Sequence, residues 1–241
     1  MIRHHVYSLI FRILLFVSSV YLYFTDIEAL DFTVMPRFDF GGVILIVIMF
    51  SFVTGMLFRI IPNKRIAIGA RKHYSYSYTA SASVLDEEEM IAAQKRLHRG
   101  AFLSGLSWTA VTALMLFVFA VFDALTPAVV IIIALLYSVI DLIFILTFCP
   151  FRALFMHNRC CAVCRIYNWD YFMMCAPLIV FPSFYSVGLV LVSVVVLIRW
   201  ELGVKKNAHF FMPETNEGLR CENCRDSVNS VSLVKKACFK R

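Results

Sequence analysis

Residues 175–184 read CAPLIVFPSF, and this stretch decides how the chain enters and leaves the membrane. It lies in an apolar block, 171–198, that would be about 42 Å long as one helix, whereas the hydrocarbon core of a bilayer is about 30 Å thick. Pro177 and Pro182 interrupt helical hydrogen bonding within this block. We expect a hairpin of two short helices joined near Pro182, and the alternative is one long helix that is kinked and tilted.

Four further apolar blocks precede this stretch, and each is about the length that spans a bilayer as a helix. Backbone polar groups in lipid must be satisfied within their own segment, so these blocks are predicted to be helical. The composition agrees, since 61% of the residues are hydrophobic and only 16% are charged. The blocks are 7–25, 41–61, 101–122 and 128–148. The sequence therefore predicts an all-α polytopic membrane protein with four full transmembrane helices and a fifth kinked or hairpin element.

The apolar blocks divide the chain into six segments. The two longest polar segments have about forty residues each, which is rarely enough for a stable soluble core without a metal, a disulfide or a partner. The segments are transmembrane helices 1–2 (1–61), a cytoplasmic loop with an amphipathic helix (62–100), transmembrane helices 3–4 (101–148), a cysteine-rich loop (149–170), the fifth membrane element (171–198) and a basic, cysteine-containing tail (199–241).

The distribution of charge predicts the orientation of these segments. Lysine and arginine concentrate on the cytoplasmic side of membrane helices. The acidic loop 26–40 is therefore predicted outside the cell membrane, and the basic loop 62–100 inside, with a cytoplasmic N-terminus. The tail 199–241 is also basic. It reaches the cytoplasm only if the fifth element returns to the side on which it started, which favours the hairpin.

The net charge of +7 is accounted for by these cytoplasmic flanks, so nucleic-acid binding is not expected. The expected partners are the lipid bilayer and a protein that docks at the cytoplasmic face. The chain has no P-loop, GxGxxG or GxSxG motif, which disfavours an ordinary ATPase, nucleotide-dependent oxidoreductase or hydrolase.

The loop 62–100 is predicted to have two parts. Residues 73–83 alternate tyrosine and serine, which is typical of a short strand or an extended segment. A helix is predicted to begin after Ser83 as its N-cap, with acids in its first turns and Lys95, Arg96 and Arg99 at its end. That order suits the helix dipole.

The cysteines are the strongest chemical signal in the sequence. Seven of the eight lie in loops or in the tail, on the side predicted to be cytoplasmic, where thiols stay reduced. Clustered reduced cysteines at short spacing indicate a metal site. The eighth, Cys175, lies in the fifth apolar block and is expected to be a small packing residue. The seven are Cys149, Cys160, Cys161, Cys164, Cys221, Cys224 and Cys238.

Two C-x-x-C units, Cys161–Cys164 and Cys221–Cys224, would supply the four sulfurs of a tetrahedral zinc site. The hairpin would bring the two units together, so the metal would fasten the tail to the cysteine-rich loop. Three alternatives remain open: an iron–sulfur cluster, an exchanging dithiol, and free thiols without a special role. The first two would make the chain a membrane redox protein. Cys149, Cys160, Cys161 and Cys164 form a complete set by themselves, which could hold its own zinc ion or an iron–sulfur cluster. His157 and Cys238 are additional candidate ligands.

The stretches NRCCAVCRIYNWD (158–170), RWE (199–201) and ETNEGLRCENC (214–224) resemble a group of bacterial integral membrane proteins whose function is uncharacterised. The resemblance covers about the last hundred residues and implies a cysteine-rich cytoplasmic loop at the bacterial inner membrane. It also implies a further cysteine five positions after Cys224, where this chain has Asn229. It implies no activity.

Asp141 is the one acid well inside the block 128–148, where a carboxylate in lipid is a functional candidate. It could relay protons, bind a cation or hold two helices together, and the first two roles would make the chain a small transporter. Arg12, in the first block, is expected to extend towards the membrane surface. Trp169 and Asp170 are predicted to be an interfacial anchor and a helix N-cap.

Overall fold

The computed structural model describes residues 2–37, 39–81, 86–158, 160–220 and 223, with only the backbone for residues 2–4. Its α-helices are α1 (Ile2–Thr25), α2 (Phe40–Ile60), α3 (Ile68–Arg71), α4 (Glu87–Val121), α5 (Pro127–Leu146), α6 (Asp170–Cys175) and α7 (Phe184–Lys206). Short helical turns are Ile27–Leu30, Ser75–Ser77, Arg152–Met156, Cys161–Val163, Tyr167–Trp169, Ala176–Val180, Ala208–Phe211 and Glu217–Leu219. The described residues contain no strand, and a single antiparallel bridge pairs Ala80 with Asn216.

Five helices, α1, α2, α4, α5 and α7, are long and apolar enough to cross a membrane. The predicted all-α polytopic fold is confirmed. Half of the most apolar part of α5 is buried, against 11% for α4, so α5 is central and α4 lies at the edge. Around α5, helix α1 packs on one side and α6 on another, while α2 packs on α7.

Helix α4 is longer than the block that predicted it, because the amphipathic helix of the loop and the third span form one continuous helix of 35 residues. At 1.5 Å per residue it extends roughly 20 Å beyond a bilayer core. Its N-cap is Asp86, whose carboxylate accepts the Glu87 N–H at 2.8 Å. The predicted cap, Ser83, lies outside the described residues.

The fifth element is a hairpin with unequal arms. Helix α6 and the turn Ala176–Val180 form a short arm, and α7 forms a long one that packs against it. The arms meet at residues 181–183, where Pro182 removes a backbone donor and the Ser183 hydroxyl caps α7 through the Ser186 N–H. The break falls where the sequence predicted it. However, the second arm is a full-length helix, because α7 continues past the apolar block to Lys206.

Close packing within the bundle depends on Gly55 of α2. A Cβ at this position would overlap the hydroxyl of Tyr171, which α6 inserts against α2. Tyr171 is 6% exposed and belongs to the main apolar core with Ile48, Leu135 and Met174. The missing side chain at Gly55 therefore makes room for the short arm of the hairpin.

We predict that Gly55→Ala lowers the stability of the bundle, by about 1–3 kcal/mol, because the added methyl overpacks against Tyr171. Gly188→Ala in α7 is the matched control, since its Cβ meets no atom within 4 Å. That change should be neutral or stabilising by up to about 1 kcal/mol. Thermal unfolding in detergent measures both, and equal midpoints for the two variants would contradict the packing.

Candidate functional site

Three polar segments assemble at one end of the helix bundle, and we call them the cap: residues 62–81, 149–169 and 207–220. The Ser81 N–H donates to Thr215 O at 3.0 Å, and the Glu217 N–H donates to Thr79 O at 2.9 Å. The indole N–H of Trp200, near the end of α7, donates to Arg165 O at 2.8 Å. The tail up to residue 220 therefore lies on the same side of the bundle as the cysteine-rich loop.

Lys72 lies at the centre of the cap and is fully buried. Its ammonium donates to Ala162 O at 3.0 Å and to Cys164 O at 2.7 Å, across the Cys161–Cys164 turn. The rings of Trp200 and Phe211 lie 5.3 and 5.4 Å from Nζ. Burial lowers the pKa of Lys72 to about 7. One side chain from loop 62–81 thus holds the cysteine turn against α7 and the tail.

An ion pair ties the cysteine-rich loop to α7. Arg165 donates to both carboxylate oxygens of Glu201, with the Nη1–Oε1 distance at 2.6 Å, and is 2% exposed. The indole N–H of Trp169 donates to Glu201 Oε1 at 2.8 Å. Trp169, predicted as an interfacial anchor, thus shares its acceptor with Arg165.

The sulfurs of three cysteines accept main-chain hydrogen bonds. The Ala162 N–H donates to Cys160 Sγ at 3.4 Å, within a turn closed by the Cys164 N–H and Cys161 O at 2.9 Å. Cys164 Sγ accepts the Ile166 N–H. Cys149 Sγ likewise accepts backbone N–H groups from the two residues that follow Pro150. At Cys149 and Cys164 these bonds lower the pKa of the thiol, although burial has the larger and opposite effect at Cys164.

The thiols of Cys149 and Cys161 line the same cavity, and the Cys161 S–H donates to Phe144 O at 3.8 Å. Their interaction lowers the pKa of Cys149 to about 6 and raises the pKa of Cys161. Burial raises the pKa of Cys164 to about 11. The cavity has a volume of about 110 Å³ and extends to Asp141.

The structure brings some of the predicted ligands together but does not complete a metal site. Among residues 2–37, 39–81, 86–158 and 160–220, no three His, Cys, Asp or Glu side chains converge to hold an ion. Cys149, Cys160, Cys161 and Cys164 are all free thiols. The remaining candidates, Cys221, Cys224 and Cys238, lie outside the described residues. Cys175 is fully buried in the apolar core, as predicted for a packing residue.

A second polar cluster surrounds Arg59 at the cap end of α2. Its guanidinium donates to Asp170 Oδ2 at 2.6 Å and to the side chain of Asn168, and the rings of Tyr167 and Tyr171 each lie 5.4 Å from Cζ. The prediction that Asp170 is an N-cap is wrong. Helix α6 begins at Asp170 itself, and its carboxylate is 3% exposed and neutralises Arg59.

Asp141 has a cationic partner that the sequence did not reveal. Arg12 Nη1 lies 3.7 Å from Asp141 Oδ2 and donates to Ser138 O at 2.7 Å. Arg12 therefore lies against α5 and is 16% exposed instead of extending to the surface as predicted. The pairing links α1 to α5, and the transporter hypothesis for Asp141 stays a prediction.

Sequence reasoning missed Lys72, Arg59 and Glu201, because each resembled an ordinary charged flank of a membrane helix.

The chain was also compared with known proteins. No family model, no curated protein and no solved structure matches it. The interpretation of the site therefore rests on its own geometry.

We predict that Glu201→Gln weakens the cap, because it leaves the buried Arg165 guanidinium without its counter-charge. Loss of one member of a buried pair destabilises strongly, and the partial exposure of Glu201 reduces this to about 2 kcal/mol. The thermal midpoint in detergent should fall by about 5 °C. Glu88→Gln, on the exposed start of α4, is the control and should change the midpoint much less, because it loses only the weak interaction of an exposed acid with the helix dipole. Equal midpoints for the two variants would show that the ion pair does not hold the cap.

Proposed function

We propose that this multi-pass membrane protein carries a structural zinc–thiolate centre, which fastens the tail to the cysteine-rich loop at the cytoplasmic face. The observation that carries this proposal is the position of α3. The turn Cys161–Val163 contacts this short helix, and so does the turn Glu217–Leu219. The cysteine turn and the last described turn of the tail therefore pack on the same short helix, and Leu219 is two residues before Cys221 in the sequence.

The chemistry of the loop sulfurs supports the same proposal. Cys161 and Cys164 lie on one tight turn, which the Cys164 N–H closes by donating to Cys161 O at 2.9 Å. Two sulfurs on such a turn can bind a single ion from one side. The two C-x-x-C units together offer four sulfurs, which suits the tetrahedral preference of zinc. The metal would supply stability to polar segments that are too short to form a core of their own.

The test is the metal content of protein purified anaerobically in detergent. We expect about one zinc per chain. Cys161→Ser and Cys224→Ser should each lose it, because each removes a ligand from a different unit. Cys175→Ala is the matched control, since Cys175 lies in the apolar core, and it should retain the metal. Protein that holds no zinc, even after reconstitution with the ion, would overturn the proposal.

A second candidate, a membrane dithiol that exchanges with protein disulfides, is favoured by the position of Cys149 and Cys161 on the wall of one cavity. In this reaction the Cys149 thiolate attacks a disulfide of a partner protein and releases one partner thiolate. Cys161 then gives up its proton and attacks the Cys149 sulfur, which releases the second partner thiolate. The partner gains two electrons, and the chain keeps a Cys149–Cys161 disulfide.

Mass spectrometry distinguishes this candidate from the zinc site. The dithiol mechanism predicts a reversible Cys149–Cys161 disulfide after incubation with a disulfide-bonded peptide, in protein that contains no metal. Cys149→Ser should abolish it, and Cys175→Ala should not. A chain that stays reduced under these conditions would exclude the dithiol mechanism.

A further inference from the structure

The space between α1 and α2 forms a cavity of about 860 Å³, which we call the α1–α2 groove. Helix α5 closes its inner side, and its cap end is bounded by residues 63–70. Its volume falls within the range of small-molecule sites in proteins, roughly 300–1,000 Å³. We propose that this groove binds an anionic phospholipid of the surrounding bilayer, with the phosphate at the cap end.

The groove is positively charged at one end and apolar along the rest of its length, which matches the headgroup and the acyl chain of an anionic phospholipid. Arg12, Arg59 and Arg65 line its cap end. Its deeper walls are apolar and include Leu15, Phe50, Phe52 and Leu135. Phe50 precedes Arg59 by about 14 Å along the helix axis, so a headgroup at the arginines would leave its acyl chain beside the phenylalanines.

The net charge around the groove is suited to one bound anion. The groove and its inner wall hold three arginines, and two carboxylates neutralise them in part, Asp141 beside Arg12 and Asp170 beside Arg59. One positive charge is left over at the cap end. A phosphodiester headgroup with one negative charge would balance it.

Arg12 keeps hydrogen-bonding capacity for a ligand. Its guanidinium makes one hydrogen bond to the described residues, at Ser138 O, and its distance of 3.7 Å to Asp141 is too long for a second. Asp141 Oδ2 is buried and accepts no hydrogen bond from the described residues. A guanidinium has five N–H donors, and two of them match the oxygens of a phosphate.

The apolar rim favours a lipid over a free anion. Phe11, Phe50 and Phe58 line the groove, yet they are 44, 70 and 52% exposed, so they also belong to the outer surface of the bundle. That surface faces acyl chains in a membrane. A phospholipid can therefore enter from the side without leaving the bilayer. This inference is independent of the proposed zinc centre, because the groove contains no cysteine.

Native mass spectrometry of the full chain, released from nanodiscs that mix phosphatidylglycerol with phosphatidylcholine, tests the proposal. The wild type should retain more phosphatidylglycerol than phosphatidylcholine. Arg12→Gln should reduce this retention about tenfold, which corresponds to the loss of one charge-assisted contact. Arg199→Gln is the matched control, because Arg199 lies at the cap end of α7, is exposed and does not line the groove. It should leave retention unchanged.

Asp141→Asn should raise the retention of phosphatidylglycerol, because it removes the carboxylate that competes with the phosphate for Arg12. A purely structural role for the ion pair would not produce this gain. If Arg12→Gln fails to fold because Asp141 loses its partner, the double variant Arg12→Gln, Asp141→Asn removes both charges and should also lose the preference.

Three results would overturn the proposal. Equal retention of the two lipids by the wild type would show that the groove does not select a charge. Equal losses in Arg12→Gln and Arg199→Gln would show that general surface charge attracts the lipid. Displacement of phosphatidylglycerol by a similar concentration of inorganic phosphate would assign the site to a free anion.

Discussion

The ion pair between Arg165 and Glu201 determines where the chain must go after the cysteine-rich loop. Arg165 belongs to that loop, and Glu201 lies near the end of α7. Because the two are joined, α7 has to end on the side of the bundle where α6 began. The hairpin at Pro182, the position of the tail beside loop 62–81 and the approach of Leu219 to α3 all depend on this return.

The same end of the molecule contains several buried cations, each held by a different kind of partner. Lys72 has two carbonyl oxygens and two aromatic rings, Arg165 has Glu201, and Arg59 has Asp170. Burying a charge is unfavourable unless hydrogen bonds and counter-charges replace water. In this cap those replacements come from segments far apart in sequence. The charges that need partners therefore also specify which segments meet.

Most of the fold could be predicted from the sequence, because apolar length and proline position depend on local composition. Four membrane helices and the break near Pro182 follow from block lengths and from the missing N–H of proline. The full length of α7 did not follow, because its last turns, up to Lys206, lie beyond the apolar block. The partners of Arg12, Arg59 and Lys72 did not follow. A lone arginine at a helix end has the same local pattern whether it extends to lipid headgroups or pairs with Asp170, about a hundred residues later. The cysteine spacing correctly drew attention to the loop, but the position of Cys149 and Cys161 on the wall of one cavity depends on how α5 and the loop pack.

The central claim is that the tail and the loop 62–81 lie on one side of the membrane. Single cysteines in place of Lys64 and Glu214, both exposed in the cap, can be labelled with a membrane-impermeant maleimide in intact and in broken cells. A cysteine in place of Asp123, between α4 and α5, reports the opposite side. The account predicts that positions 64 and 214 are both labelled in broken cells but not in intact cells. Position 123 should be labelled equally in both preparations. Labelling of position 214 together with 123, and apart from 64, would contradict the hairpin and the shared cap.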